Sequence, residues 1–279
     1  MLGQRVATAL VLLAILIPSI FLAPPWVWGL VSLALLVVAG HEWGRLLGSA
    51  PGGIALGAAL AASGAAYVAW RTTAGASVPP AAVGVLAAAS LAFWLSGGLL
   101  SLARVRREGP GWAIGALVLA ACWVALYELR LAGPAMLVSA MAIVWLADIG
   151  AYFAGRAFGR RKLAPRVSPG KTWEGVIGGV SAVLLAAVLA SLAWPAEAGG
   201  TALFSSWLAA RSGWPVAVAT LAGIAALSVV GDLYESLLKR LAGVKDSGRI
   251  LPGHGGVLDR IDALIPTMPG CLLLMQLLR

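Results

Sequence analysis

The sequence predicts an all-α fold, a polytopic transmembrane helical bundle of about nine spans with its N-terminus in the cytoplasm. Three observations predict it. Hydrophobic residues make up 61% of the 279 residues and charged residues only 11%, with a mean hydropathy of +0.93. A soluble domain carries about 25% charged residues, so most of this exterior faces lipid. Apolar runs near the roughly 20 residues that a spanning helix needs recur along the chain. Lys and Arg collect on one side of those runs.

The runs fall at 6–22, 25–40, 53–70, 81–103, 111–129, 134–155, 174–194, 214–235 and 262–279. The second opens with Pro24-Pro25, which suits a helix's first turn. The last carries Pro266 and Pro269 and is expected to kink or start late. The first lacks a small-residue cleavage pattern and leads straight into further spans, so it reads as a retained helix. The 35 glycines, spread with alanines through these runs, suit close helix approach in a bilayer. Cys122 and Cys271 sit inside apolar runs and read as small buried hydrophobes. There is no internal repeat, and residues 1–279 read as a single membrane domain.

Nine spans put 16 of the 20 basic residues on the side of the N-terminus, against Arg71, Arg130, Arg211 and Arg279 on the other. The positive-inside rule makes that first side cytoplasmic. The net charge of +9 is therefore read as topology and attraction to anionic headgroups, with no nucleic-acid partner. That reading suffices for Arg104, Arg106 and Arg107.

It does not suffice for two longer cytoplasmic segments, which mix acids, Gly and His with the bases. In the first, Asp148 lies inside the sixth run, where a carboxylate needs a cavity, a cation or a partner such as Arg156 two turns on. Ser168-Pro169-Gly170-Lys171-Thr172 then leads into the seventh run. Ser before Pro reads as a helix start whose free N–H groups and Lys suit a phosphate, with plain capping as the rival. The glycine spacing of a Walker loop is absent.

The second segment is denser. Asp232, Glu235, Ser236 and Lys239 share one helix face, and Asp259 and Asp262 stand three apart at the start of the last run. Crowded carboxylates near a membrane interface repel and are costly to desolvate, and a divalent cation relieves both. Oxygen-only ligands favour Mg²⁺ over zinc. Lys239, Arg240, Lys245, Arg249 and Arg260 supply more positive charge than a metal site needs, which points to a polyphosphate. Between them, Pro252-Gly253-His254-Gly255-Gly256 is a side-chain-poor turn whose N–H groups can approach a ligand closely.

The stretch from Ser236 through Lys239-Arg240, Lys245-Asp246 and Pro252-Gly253-His254-Gly255-Gly256 to Asp259-Arg260 and Asp262 resembles the signature of phosphatidate cytidylyltransferases. Asp148 to Arg156 and Ser168 to Gly175, with Glu174, agree with it. The resemblance covers about residues 140–270, the catalytic region; residues 1–130 match only as hydrophobic helices. Ile149 departs from the pattern, standing where a small hydroxyl residue is expected. The resemblance implies that CTP and phosphatidate react to CDP-diacylglycerol and pyrophosphate, with Mg²⁺ and in some cases a second cation. It implies a homodimer in a bacterial inner membrane with the site on the cytoplasmic side.

On that basis Asp232, Asp259 and Asp262 are the expected metal ligands, with Asp148 and Asp246 as outer candidates. Asp232, Lys239, Arg240, His254, Asp259 and Arg260 are the catalytic set. Ser168, Lys171, Thr172, Glu174, Ser236, Lys245, Asp246, Gly253, Gly255 and Gly256 are the substrate-binding set. A phosphate monoester is largely ionised near neutral pH, so the attack needs no Ser, Cys or strong base. The rival readings are a CTP-dependent polyprenol kinase, a cytidylyltransferase for another lipid phosphate, and an ion-coupled transporter. The Asp-rich pattern of CDP-alcohol phosphotransferases is absent.

Overall fold

Prolines and glycines punctuate the helices of this chain, which a computed structural model describes over residues 2–73, 80–104, 111–194 and 202–278. Arg106, Arg107 and Arg279 lie outside the described residues. The helices in order are α1 (Leu2–Phe21), α2 (Pro25–Leu46), α3 (Ala50–Thr73) and α4 (Pro80–Phe93). A π-helical turn (Trp94–Gly98) joins α4 to α5 (Leu99–Arg104), and α6 (Trp112–Ala132) and α7 (Pro134–Phe158) follow. A hairpin of β1 (Lys162–Ala164) and β2 (Ser168–Thr172) precedes α8 (Trp173–Ala193). Then come α9 (Phe204–Ser212), α10 (Trp214–Leu241), the short α11 (Leu258–Ile261) and α12 (Leu264–Leu277). Proline occupies the first turn of α2, α7 and α10, where its missing N–H costs nothing. Gly133 and Gly213, at positive φ, turn the chain into the last two of these.

Among the described residues, eight helices are long and apolar enough to cross a membrane. The polytopic α-helical fold is as expected. α6 is enclosed by its neighbours, with 67% of its apolar window buried, whereas α1 has 11% and lies at the lipid-facing periphery. Small residues set the tightest helix pairs. A Cβ at Gly150 of α7 would lie 2.6 Å from the Ala182 Cβ of α8, and one at Gly179 would lie 2.6 Å from the Ala147 carbonyl. Bulkier side chains would force these backbones apart.

Two spans differ from the expectation. α2 continues to Leu46 rather than stopping near residue 40, carrying Glu42 inside the helix at 2% exposure. The ninth run is a 14-residue helix, about 21 Å long. That is shorter than the roughly 30 Å of bilayer hydrocarbon. α12 starts deep: a Cβ on Gly231 would lie 2.7 Å from the ring of Pro266. Gly231 is ten residues before the end of α10 at Leu241, about 15 Å of helix. At its other end, the Leu278 carbonyl accepts from Arg211 in the last turn of α9, at 3.0 Å. The polar segment 242–263 therefore dips into the bundle, and α12 covers only the remaining depth.

The antiparallel hairpin pairs Lys162 with Thr172 and Ala164 with Ser168. Ser168 is thus a strand residue, and the helix start expected there falls instead at Thr172, whose hydroxyl accepts the Gly175 N–H at 3.1 Å. Strand pairing claims the backbone of 168–172 that a Ser168 cap would have needed.

Candidate active site

Lys171 projects from β2 onto α10, and its Nζ lies 2.6 Å from Asp232 Oδ2. Asp148 of α7 is a charge neighbour of both. The three line a cavity of about 530 Å³ with Thr172, Tyr152 and Arg156. Arg156 does not pair with Asp148; its guanidinium donates to the Tyr152 hydroxyl at 3.1 Å. Ile149 points away, 54% exposed, in keeping with its departure from the pattern. An apolar groove of about 640 Å³ adjoins this cavity and shares Val176 and Val229 with it. Its walls include Leu99, Leu102, Leu163 and Leu233, with Arg166 at one side.

About two turns along α10 from Asp232, Lys239 forms ion pairs with Glu235 and, at 2.7 Å, with Asp259 Oδ1. Asp262 lies between the two groups, a charge neighbour of Asp232, Lys171 and Lys239. Burial, and then the charge of Asp232, push the Asp262 carboxyl up to about 7. Burial also acts to raise Asp259, but its contacts with Glu235 and Lys239 and the Gly256 N–H outweigh that and hold it at about 2. Asp148, Lys171, Asp232, Asp262, Lys239 and Asp259 thus form one run of charges along α10.

Beyond Asp259 lies a second polar cavity of about 480 Å³, lined by Arg5, Lys245, Asp246, Arg249, His254 and Arg260 with Gly253 and Gly255. The turn that walls it closes by a bridge between Leu251 and Gly255, with Gly253 and Gly255 at positive φ. A Cβ on Gly255 would strain the turn and lie 2.9 Å from Asp259 Oδ2. His254 Nδ1 is buried, with no hydrogen-bond partner among the described residues.

The other expected residues hold the scaffold. Glu174 accepts from the backbone N–H groups of Arg160 and Arg161, both at 3.1 Å, and so fastens the chain entering β1. Arg240 is exposed and donates to the Val167 carbonyl at 3.4 Å, bracing the hairpin turn. Ser236 donates to Asp232 at 3.4 Å.

Two residues were missed by sequence reasoning. Arg5 reaches the loop cavity from α1, the most lipid-exposed span, and Thr8 donates to the Pro252 carbonyl at 3.0 Å. Glu42 of α2 accepts from Val257 N–H at 3.2 Å, Leu258 N–H at 2.7 Å and the Ser247 hydroxyl at 3.3 Å. A carboxylate inside a spanning run is the signal that marks Glu42.

Among the described residues, no three His, Cys, Asp or Glu side chains converge closely enough to cage a metal ion. Asp259, one of the three expected ligands, is occupied by Lys239 and by the N–H groups of Ser247 and Gly256, at 3.0 and 2.8 Å. Asp232, whose Oδ2 pairs with Lys171 at 2.6 Å, and its charge neighbour Asp262 are the carboxylates that remain. That donor set fits Mg²⁺, which usually takes one or two carboxylates and completes its shell with substrate phosphates and water.

A multi-span helical protein with a charged run between a lipid-side cavity and a basic loop is the class that fold and site define. Residues 3–278 match the model of the cytidylyltransferase family, and the chain belongs to that family. It is similar to a phosphatidate cytidylyltransferase from Pseudomonas aeruginosa, 39% identical over 96% of this chain and 95% of the relative. Proteins of the same description from Haemophilus influenzae and Brucella suis are 49% and 44% identical, over 49% and 63% of this chain and 44% and 61% of theirs. The match to the family model includes the N-terminal helices, which the sequence alone did not tie to the family.

Proposed function

We propose that this protein transfers the cytidylyl group of CTP to phosphatidate, giving CDP-diacylglycerol and pyrophosphate, on the cytoplasmic face of a bacterial inner membrane. The observation that carries the reading is the charged run itself, which joins a cavity opening beside an apolar groove to a basic cavity on a loop. One substrate is a lipid phosphate and the other a soluble polyphosphate, and the two ends suit them in turn.

Lys171 binds the lipid phosphate, with the acyl chains along Leu102, Val229 and Leu233. Arg5, Lys245, Arg249 and Arg260 hold the β- and γ-phosphates of CTP, and the Gly253–Gly256 turn faces the nucleotide. A non-bridging oxygen of phosphatidate attacks the α-phosphorus. The new P–O bond forms as the bond from the α-phosphorus to the α,β-bridging oxygen breaks, and pyrophosphate leaves. The nucleophile is already ionised, so positioning and charge neutralisation by these side chains do the work. Lys239 keeps Asp259 and Glu235 paired and adds positive charge beside the reacting phosphates. Asp232 and Asp262 are the residues to hold Mg²⁺, which when bound supplies charge neutralisation on the phosphates. The resemblance adds a homodimer, which the mass of the purified protein in detergent tests.

The reaction is tested with purified protein in detergent, phosphatidate, Mg²⁺ and CTP labelled at either the α- or the γ-phosphorus. Label from the α position appears in lipid and label from the γ position in pyrophosphate. Label from the γ position in lipid would mean a kinase, and no labelled lipid from either would refute the reading.

A further inference from the structure

Glu42 of α2 lies 205 to 216 residues from the groups it holds. It is 2% exposed, deep in the bundle, and all three of its donors belong to the signature segment. Ser247 is shared: its hydroxyl is 3.3 Å from Glu42 Oε2 and 3.0 Å from Asp259 Oδ2. Two carboxylates thus grip the same loop from opposite sides, Glu42 at Val257 and Leu258 and Asp259 at Ser247 and Gly256.

Two glycines of the segment fit around this contact. A Cβ on Gly248 would collide with Glu42 Oε1, and one on Gly256 would lie 2.7 Å from both carboxylate oxygens. Both glycines are buried, and neither has a positive φ, so close approach excludes a side chain: the Glu42 carboxylate at Gly248, and the Ser247 hydroxyl together with that carboxylate at Gly256. The segment has little regular structure to consume its N–H groups, and those of the buried residues around Glu42 need a partner inside the protein.

We propose that Glu42 is a positioning residue for the reaction. It fixes the backbone just before Asp259 and so sets how Asp259, Lys239 and the basic loop cavity face the nucleotide. The consequence for the reaction rests on the function proposed above; the anchoring of the loop does not. In Glu42→Gln an amide NH₂ faces donors where an oxygen accepted, so the grip fails while the volume is kept.

The experiment compares wild type, Glu42→Gln, Glu42→Asp and Gly248→Ala in detergent by steady-state kinetics, thermal melting and brief trypsin digestion. Lys245 and Arg249, both exposed, are the cleavage sites within the loop. Glu42→Gln is expected to lower kcat by about tenfold or more while leaving KM for phosphatidate within about twofold. Trypsin is expected to cut the loop faster with the melting temperature nearly unchanged, and Glu42→Asp to recover part of both properties. A purely structural role would instead lower the melting temperature and expose sites throughout the chain. Gly248→Ala presses on the same carboxylate from the loop side and is expected to reproduce the Gln phenotype, which keeps the test valid should Glu42→Gln fail to fold. Wild-type kcat and wild-type trypsin resistance in a folded Glu42→Gln, or in Gly248→Ala, would overturn the proposal. A wild-type enzyme that makes no CDP-diacylglycerol would refute the proposed reaction, and the digestion would still decide the anchoring.

Discussion

The two cavities at the ends of the charged run are walled by different kinds of backbone. Around Asp148, Lys171 and Asp232, long helices and a short hairpin pair most of their own N–H and carbonyl groups, so the charges that face the cavity are carried by side chains. Around Arg249, His254 and Arg260, the chain from 242 to 257 has little regular pairing beyond the Leu251–Gly255 bridge, and its N–H groups turn to the Glu42 and Asp259 carboxylates. The first cavity owes its shape to helix packing through Gly150 and Gly179, the second to acids inside the protein. A lipid phosphate arrives at a fixed depth and is met by one lysine on a rigid strand. A triphosphate needs several donors on a surface that bends around it, and a loop provides that only if something buried holds it still.

Breaking the joint between the two cavities is expected to have the largest effect. Lys239 pairs with both Glu235 and Asp259, and its side chain is 16% exposed. Lys239→Met removes the counter-charge that Glu235 and Asp259 share, a change that costs about 3 kcal/mol. Turnover is expected to fall by about 100-fold or more. Melting curves and product formation check both.

A smaller effect separates the ends by pH. The folded Asp262 carboxyl stands at about 7 against its ordinary 3.8, so between those values the folded state binds more protons than the unfolded one. Stability from this group is therefore greatest below about pH 4 and falls as pH rises to 7. In chelator, wild type is expected to lose melting temperature from pH 5 to pH 7.5 more steeply than Asp262→Asn. Mg²⁺ is expected to flatten the wild-type slope, because it binds the ionised carboxylate. Equal slopes in the two proteins would detach Asp262 from the pair with Asp232.

The smallest effect belongs to the hairpin side. Thr172→Ala removes the α8 cap and is expected to cost about 1 kcal/mol in melting experiments.

Much of this was legible in the chain. Composition and run length predicted eight of the spans to within a few residues at most ends, because lipid exposure leaves little choice of residue. The dense charges from Asp232 to Asp262 stood out against that background, and their i, i+3, i+4 and i+7 spacing placed Glu235 and Lys239 together correctly. The hairpin was not legible: Ser168-Pro169 carries a capping signal, and the pairing that overrides it depends on Lys162 and Ala164. Nor was the depth of α12, which follows from Gly231 admitting Pro266. A carboxylate in an apolar stretch marks Glu42, but what it and Arg5 contact was not legible. Their partners lie over 200 positions away, and no local spacing records them.

The account's central claim, that the lipid phosphate and the nucleotide enter by different cavities, is tested most directly by the two Michaelis constants in Lys171→Met and Arg260→Met. Lys171→Met is predicted to raise KM for phosphatidate about tenfold and leave KM for CTP within about twofold, and Arg260→Met to do the reverse. Both variants raising the same constant, or each raising the other's, would contradict it.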